Sequence, residues 1–208
     1  MQSEKRLSDN KELAFLVGVY FPKTSKSDIN VQLEELELLS ETAGAEIQDK
    51  LTQSRNKVDA ATFIGKGKIK SIISQAKELN VKLIIFNDEL SPTQIKNIQK
   101  LAGNSIKVLD RTGLILDIFD SHARSKEAKT QIKLARLEYM LPRLTRQWTH
   151  LERQMGGVGT RGGPGETQIE IDRRLIRNQI TKLKADLKKI EKQHLTQTQS
   201  RDKIYKIA

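Results

Sequence analysis

Short apolar runs separated by polar turns recur along the first half of the chain. Residues 14–20 and 81–86 are rich in Val, Ile, Leu and Phe and are too short for ordinary helices, so they predict buried strands. Residues 45–51, a weaker run, and residues 105–109 predict two more. The first half of the chain therefore contains four predicted strands.

Between these strands, apolar residues recur at steps of three and four, which is typical of amphipathic helices. Residues 28–43 show this period and stop at Gly44. A second helical face follows residues 65–68, and a third follows the capping-box sequence at 91–94 and stops at Gly103. The order β-α-β-α-β-α-β predicts an α/β fold, with a mostly parallel four-stranded sheet, right-handed crossovers and flanking helices.

The second half has the heptad period of long paired helices. Pro142 interrupts the first of them and predicts a kink or break, and a capping box at 167–170 marks the start of the second. We expect an antiparallel, coiled-coil-like hairpin, called the arm below, whose second helix over 167–192 is about 40 Å long. The predicted seam consists of Leu134, Leu137, Leu141, Leu144, Trp148, Leu151 and Met155, then Ile169, Ile176, Ile180, Leu183, Leu187 and Ile190.

The net positive charge of the chain comes entirely from its second half. The net charge is +11, yet residues 1–120 carry 17 Lys+Arg and 17 Asp+Glu, whereas residues 121–208 carry 20 and 9. A solvated coiled-coil surface is the alternative explanation, but such surfaces intersperse acidic residues. The imbalance indicates an anionic partner, with nucleic acid as the first candidate. The basic positions away from the seam are Arg143, Arg146, Arg153, Arg173, Arg174, Arg177, Lys182, Lys184, Lys188 and Lys189.

Composition excludes several classes of site. The chain has no cysteine, which rules out disulfides, thiol nucleophiles and Cys-ligated metals. Its three histidines are 28 and 44 positions apart, so we expect no metal site. The first apolar run, 13–21, is too short to span a bilayer. We expect a cytoplasmic protein without a membrane span.

Glycine is concentrated at the turn of the hairpin. Six of the 12 glycines lie within 156–165, and although 157–162 matches GxGxxG, it follows a heptad helix rather than a strand. Backbone amides can approach another molecule closely there, and Arg161 adds a donor for phosphate or guanine. We hypothesise that this tip inserts into folded RNA; a plain flexible turn is the alternative. The candidate RNA-binding residues are Arg153, Gly156, Gly157, Val158, Gly159, Thr160, Arg161, Gly162, Gly163, Pro164, Gly165, Arg173, Arg174 and Arg177.

Polar residues near the predicted strand ends form a weaker candidate site. Ligands of parallel sheets bind beyond the carboxyl ends of strands, where residues 87–89 and Asp110 are expected, although ordinary turn and capping roles are the favoured interpretation. Two lysines that alternate with two glycines at 65–68 suggest a phosphate loop, but the segment lacks GxxxxGK[ST] spacing, so a solvated turn is the favoured interpretation. The weak cofactor-binding candidates are Lys66, Lys68, Asn87 and Asp110.

Several segments resemble a known family. Residues 156–174, GGVGTRGGPGETQIEIDRR, closely resemble the signature of the HflX family of ribosome-associated GTPases. One glycine of RGGP, 161–164, is additional to the usual family pattern. Four other segments are also similar to the family: 63–68 (FIGKGK), 87–94 (NDELSPTQ), 110–119 (DRTGLILDIF) and 131–145, which contains LEYMLPRLT.

The resemblance implies a function. It implies an α/β domain and a helical arm, followed by a G domain that binds GTP and Mg²⁺. It also implies binding to the large (50S) ribosomal subunit and its rRNA, with the glycine loop near the peptidyl transferase centre, and a role in ribosome splitting, rescue or biogenesis under stress. The 208 residues contain no P-loop sequence of the form GxxxxGK[ST]. We therefore expect this chain not to hydrolyse GTP by itself.

These expectations divide the chain into four parts. We expect a flexible segment 1–12, an α/β domain 13–120, the arm 121–203 with a tip loop at 156–166, and the start of a G domain at 204–208. We also expect a monomer. Two alternatives remain open at this stage, namely that the α/β domain binds a nucleotide or small anion, and that the arm is a protein–protein coiled coil.

Overall fold

The computed structural model describes residues 11–22, 26–144 and 168–202. They divide into two compact units with the boundary between Ser121 and His122. The first unit alternates strands and helices, which are β1 (Glu12–Tyr20), α1 (Lys26–Thr42), β2 (Ala45–Ser54), α2 (Lys66–Glu78), β3 (Leu83–Phe86), α3 (Pro92–Ala102), β4 (Lys107–Asp110) and α4 (Arg111–His122).

The four strands form one parallel sheet in the order β2-β1-β3-β4. This confirms the predicted four-stranded parallel sheet. Residues 14 and 16 of β1 and residues 83 and 85 of β3 pack with α1 and α4 on one face. The intervening side chains point to the opposite face, since side chains alternate along a strand. Phe86 meets the Phe63 ring there, with the centroids 6.3 Å apart.

Local signals set the helix ends as predicted. Gly44 follows α1 with φ of +88°, a left-handed conformation that favours glycine. The predicted capping box opens α3, because the Gln94 amide donates to the Ser91 hydroxyl at 3.2 Å and the Ser91 amide donates to Gln94 Oε1 at 2.8 Å. Helix α4 was not predicted, since it follows β4 without an intervening turn.

The second unit contains the two arm helices, α5 (Lys126–Met140) and α6 (Gln168–Asp202). Helix α5 ends at Met140, and a short 3₁₀ turn, Leu141–Arg143, contains Pro142, which confirms the predicted break. The 35 residues of α6 give a length of about 52 Å, longer than predicted. The difference arises because the helix continues through the polar residues after the last apolar seam position.

The arm helices pack antiparallel, as predicted. Lys184 Nζ lies 2.8 Å from Glu138, and His194, further along α6, lies 3.4 Å from Glu127, nearer the start of α5. Between the helices, buried apolar side chains form a small core, with other seam residues partly buried beside it. The core residues are Leu137, Leu144 and Ile176, flanked by Leu141, Ile180 and Leu183.

A buried carboxylate joins β4 to α4. Asp110 is completely buried, and its Oδ1 accepts a hydrogen bond from the Gly113 amide at 2.8 Å. Its Oδ2 accepts from the Leu90 amide at 3.1 Å. One side chain therefore caps the first turn of α4 and holds the loop after β3.

A second carboxylate at this end of the sheet is less well compensated. Burial raises the pKa of Asp88, while a hydrogen bond from the Val19 amide acts in the opposite direction. Its buried Oδ2 has no hydrogen-bond partner among the described residues. Ionised Asp88 therefore opposes folding.

We expect Asp110→Asn to destabilise the first unit by about 1–3 kcal/mol, because the amide nitrogen would face one of two buried N–H donors. Urea unfolding followed by circular dichroism measures this change. Glu46→Gln is the control, since it removes the same charge from an exposed position on β2. Equal stability of the two variants would contradict the role of Asp110.

We expect Asp88→Asn to raise the thermal unfolding midpoint at pH 7. A raised carboxyl pKa in the folded state costs no stability below the usual pKa, where both states are protonated. The cost develops as pH rises through the folded-state pKa. The gain from Asp88→Asn should therefore shrink towards pH 3. A gain that is the same at both pH values, or absent at pH 7, would contradict this account.

Candidate nucleic-acid interface

Three of the predicted RNA-binding arginines lie near the beginning of α6. Arg174 and Arg177 are exposed, and Arg173 is half-buried. They occupy the second and third turns of a helix that starts at Gln168. Arg173 and Arg177 are four positions apart and so share one face of the helix. The helix holds this charge within a few residues of the predicted tip.

The other predicted RNA-binding residues, Arg153 and 156–165, lie outside the described residues, within the segment 145–167. Their chemistry rests on the sequence alone: six glycines and one arginine in ten positions.

The assignment of Arg143 to the exposed basic face was wrong. Arg143 is only 6% exposed. Its guanidinium carbon lies 3.8 Å from the centroid of the Tyr139 ring, and its Nη1 donates to the Tyr139 carbonyl at 2.9 Å. A cation stacked on an aromatic ring is stabilised within the protein. Arg143 therefore supports the turn that ends α5.

The lysines of α6 divide between paired and unpaired positions. Lys184 pairs with Glu138 at 2.8 Å across the two helices, and Lys189 lies 3.9 Å from Asp186 in its own helix. Lys182 and Lys188 are exposed and form no ion pair with another described residue. Part of the predicted basic face is thus paired within the arm, and part of it faces solvent without an ion-pair partner among the described residues.

Sequence reasoning missed a second concentration of charge, on α5. Three lysines recur at spacings of three and four, which is the signal that could have revealed it. They line a cleft, called the α5 cleft below, together with an arginine that precedes the helix, a threonine and one α6 side chain. Its residues are Arg124, Lys126, Lys129, Thr130, Lys133 and Leu183.

Two of the weaker candidates, Asn87 and Asp110, are hydrogen-bonded to other residues of the first unit. Asn87 is buried, and its Nδ2 donates to Gln32 Oε1 at 2.9 Å. Its Oδ1 accepts from Arg111 Nη1 at 3.2 Å, and the same guanidinium pairs with Glu35. This network fixes α1 and α4 against the end of β3. Asp110 acts as the cap described above.

Lys66 and Lys68 are placed differently from Asn87 and Asp110. They belong to the first turn of α2, where Lys66 is exposed and Lys68 is half-buried. The Gly65 amide just before them donates to Gln53 Oε1 at 3.3 Å. That amide is therefore already hydrogen-bonded within the protein.

The described residues contain no cluster of three or more His, Asp or Glu side chains suited to a metal ion. Across the same parts of the chain, none of the helices has the length and apolar character needed to cross a membrane.

Two family models match consecutive parts of the chain. The GTP-binding GTPase N-terminal model matches residues 30–120, and the GTP-binding GTPase middle-region model matches residues 122–201. The border between the two matches falls within one residue of the border between the compact units.

Curated relatives agree with these matches. The chain is 45% identical over 199 residues to the GTPase HflX of Flavobacterium psychrophilum, covering 96% of this chain and 48% of that protein. It is 45% identical over 195 residues to the GTPase HflX of Escherichia coli, covering 94% and 44%. The chain thus spans about half the length of these relatives.

Solved structures share the fold. The SsGBP complex with GDP superposes with a TM-score of 0.65 at 25% identity, covering 89% of this chain and 46% of that one. A GTP-binding protein of Sulfolobus solfataricus in complex with GDP gives a TM-score of 0.58 at 24% identity, with coverage of 86% and 46%. Together with the family models and the HflX relatives, these similarities show that the chain belongs to the HflX family of GTPases, whose N-terminal and middle regions it matches.

Proposed function

We propose that this chain is the region of an HflX-type GTPase that binds the large ribosomal subunit through rRNA. The observation that carries the proposal is the position of Arg173, Arg174 and Arg177 near the start of a long helix that follows the glycine-rich segment in sequence. Positive charge near a loop with few side chains suits a surface of closely spaced phosphates. The tip loop lies near the peptidyl transferase centre in this proposal.

The internal packing of the arm supports RNA as its partner. Leu137, Leu144 and Ile176 are buried between α5 and α6, so this part of the heptad seam is used within the hairpin. A partner protein that formed a coiled coil with the arm would need an apolar seam on the arm that is not already buried within the hairpin. The charged positions that face solvent are better suited to a polyanion.

Nucleotide chemistry belongs to a different part of the family's proteins in this proposal. Relatives are named GTPases, and a similar solved structure contains GDP. The 208 residues have no GxxxxGK[ST] segment to surround the phosphates of GTP and to place a hydroxyl on Mg²⁺, so they do not fit GTP and Mg²⁺. The chain alone therefore binds the large subunit but does not hydrolyse GTP. It acts as a monomer in the cytoplasm, partly associated with ribosomes, during ribosome splitting, rescue or biogenesis under stress.

Co-sedimentation of the 208-residue chain with purified large ribosomal subunits tests the proposal. We expect binding to weaken steeply with salt, because phosphate contacts release counterions. Arg161→Ala combined with deletion of 162–163 should weaken binding by about tenfold or more. The variant lacks a hydrogen-bond donor to phosphate and has a shorter tip.

The control is Lys192→Ala, which removes one exposed positive charge from α6 far from the tip along the helix. It should bind within about twofold of the unmodified chain, since one distant charge adds little. If the tip variant binds as tightly as this control, the tip has no role. If the unmodified chain does not sediment with subunits at low salt, the proposed function is wrong.

A further inference from the structure

The α5 cleft is a positively charged site separate from the tip. Arg124, Lys126, Lys129 and Lys133 line it, and Thr130 and Leu183 complete its walls. Its volume of about 420 Å³ falls within the range of ligand-binding clefts. All of its residues belong to the second compact unit.

The charges of the cleft are available to a ligand. The three lysines and Arg124 are exposed, and none forms an ion pair within the described part of the chain. The nearest acidic residue in sequence, Glu127, lies 3.4 Å from His194 and accepts a hydrogen bond from Gln131 at 3.4 Å. That carboxylate therefore interacts with side chains outside the cleft.

The spacing of the lysines favours an extended ligand. Positions 126, 129 and 133 share one helix face and span about 10 Å along the axis, given a rise of 1.5 Å per residue. Backbone positions spread over that length suit several successive anionic groups better than one small anion. A strand with successive phosphates can contact all three lysines.

Thr130 indicates which kind of strand fits. Its hydroxyl donates to the Lys126 carbonyl at 2.7 Å, so its oxygen can only accept any further hydrogen bond. Neither an ionised phosphate oxygen nor a carboxylate has a proton to donate to the Thr130 hydroxyl oxygen. The 2′-hydroxyl of ribose is a donor as well as an acceptor, and deoxyribose lacks it. Leu183 provides an apolar surface beside this position.

We infer that the α5 cleft binds an RNA strand, with its phosphates on Lys126, Lys129 and Lys133 and a ribose 2′-hydroxyl on Thr130. The inference rests on the proposed function, because it gives the same arm a second RNA contact, formed by residues other than those of the tip. It adds discrimination of RNA from DNA, which charge alone does not provide.

Fluorescence anisotropy with the full 208-residue chain tests the site. The probes are a labelled 12-nucleotide single-stranded RNA and the DNA of the same sequence. Joint replacement of the three cleft lysines (Lys126→Gln, Lys129→Gln, Lys133→Gln) should weaken RNA binding by about tenfold or more near 0.15 M salt. It should also reduce the log–log salt slope by about 2.

The matched control removes three exposed lysines from α2 and α3 (Lys70→Gln, Lys77→Gln, Lys96→Gln). It lowers the net charge equally and should leave RNA affinity within about twofold. Circular dichroism checks that both triple variants keep the helical content of the unmodified chain.

The hydroxyl has its own matched pair. Thr130→Val should weaken RNA binding by about threefold, roughly one modest hydrogen bond, and leave DNA binding unchanged. Thr181→Val is the control, because Thr181 makes the same hydrogen bond to a carbonyl four residues earlier, at 3.1 Å, on α6. It should change neither affinity.

Three results would overturn the inference: equal RNA binding by the two lysine triples, an equal effect of Thr130→Val on RNA and DNA, or displacement of the RNA by poly-glutamate of matched charge. The proposed function fails separately. Suppose that the triple lysine variant of the cleft binds the oligonucleotide normally, while the tip variant loses subunit binding. Only the inference that the α5 cleft binds RNA is then refuted. If the cleft variants change oligonucleotide binding as expected but the unmodified chain does not bind subunits, only the proposed function is refuted.

Discussion

The apolar seam between α5 and α6 is the contact on which the arm depends. A helix of 35 residues that is polar on most of its surface gains little stability alone, so burial of Leu137, Leu144 and Ile176 against its partner must hold it. The ion pairs Lys184–Glu138 and His194–Glu127 set the register but are largely exposed, where such pairs contribute little. The same packing brings Leu183 to the lysines of α5, so the seam also creates the α5 cleft.

Residues of one charge have three different roles in the arm. Arg143 is buried on Tyr139 and supports the turn after α5, whereas Lys184 joins the two helices. Lys126 and its neighbours on α5 remain exposed and uncompensated. Net charge therefore overstates what a partner can contact. Exposed cations without an ion pair, such as these lysines, can exchange their counterions for phosphates without losing an interaction that stabilises the fold.

Local patterns made most of the fold predictable. The strands, the stop at Gly44, the capping box at Ser91 and the break at Pro142 depend on a few adjacent residues each. Helix α4 could not be found in this way, because Asp110 ends a strand and caps a helix at once. The burial of Arg143 and the α5 cleft depend on which side chains pack together in three dimensions, which periodicity does not specify. The tip residues remain predictions.

The neutrality of the first 120 residues affects how the arm would meet a polyanion. Equal numbers of acidic and basic side chains there leave no net charge, and salt limits the field of any net charge to about 8–10 Å, the Debye length. The long-range field of the chain then comes from residues 121–208, which orient the arm towards phosphates before contact. Short-range groups such as the Thr130 hydroxyl act only after that approach. Electrostatics would therefore govern the association rate, whereas hydroxyl and backbone contacts would govern selectivity and the lifetime of the complex.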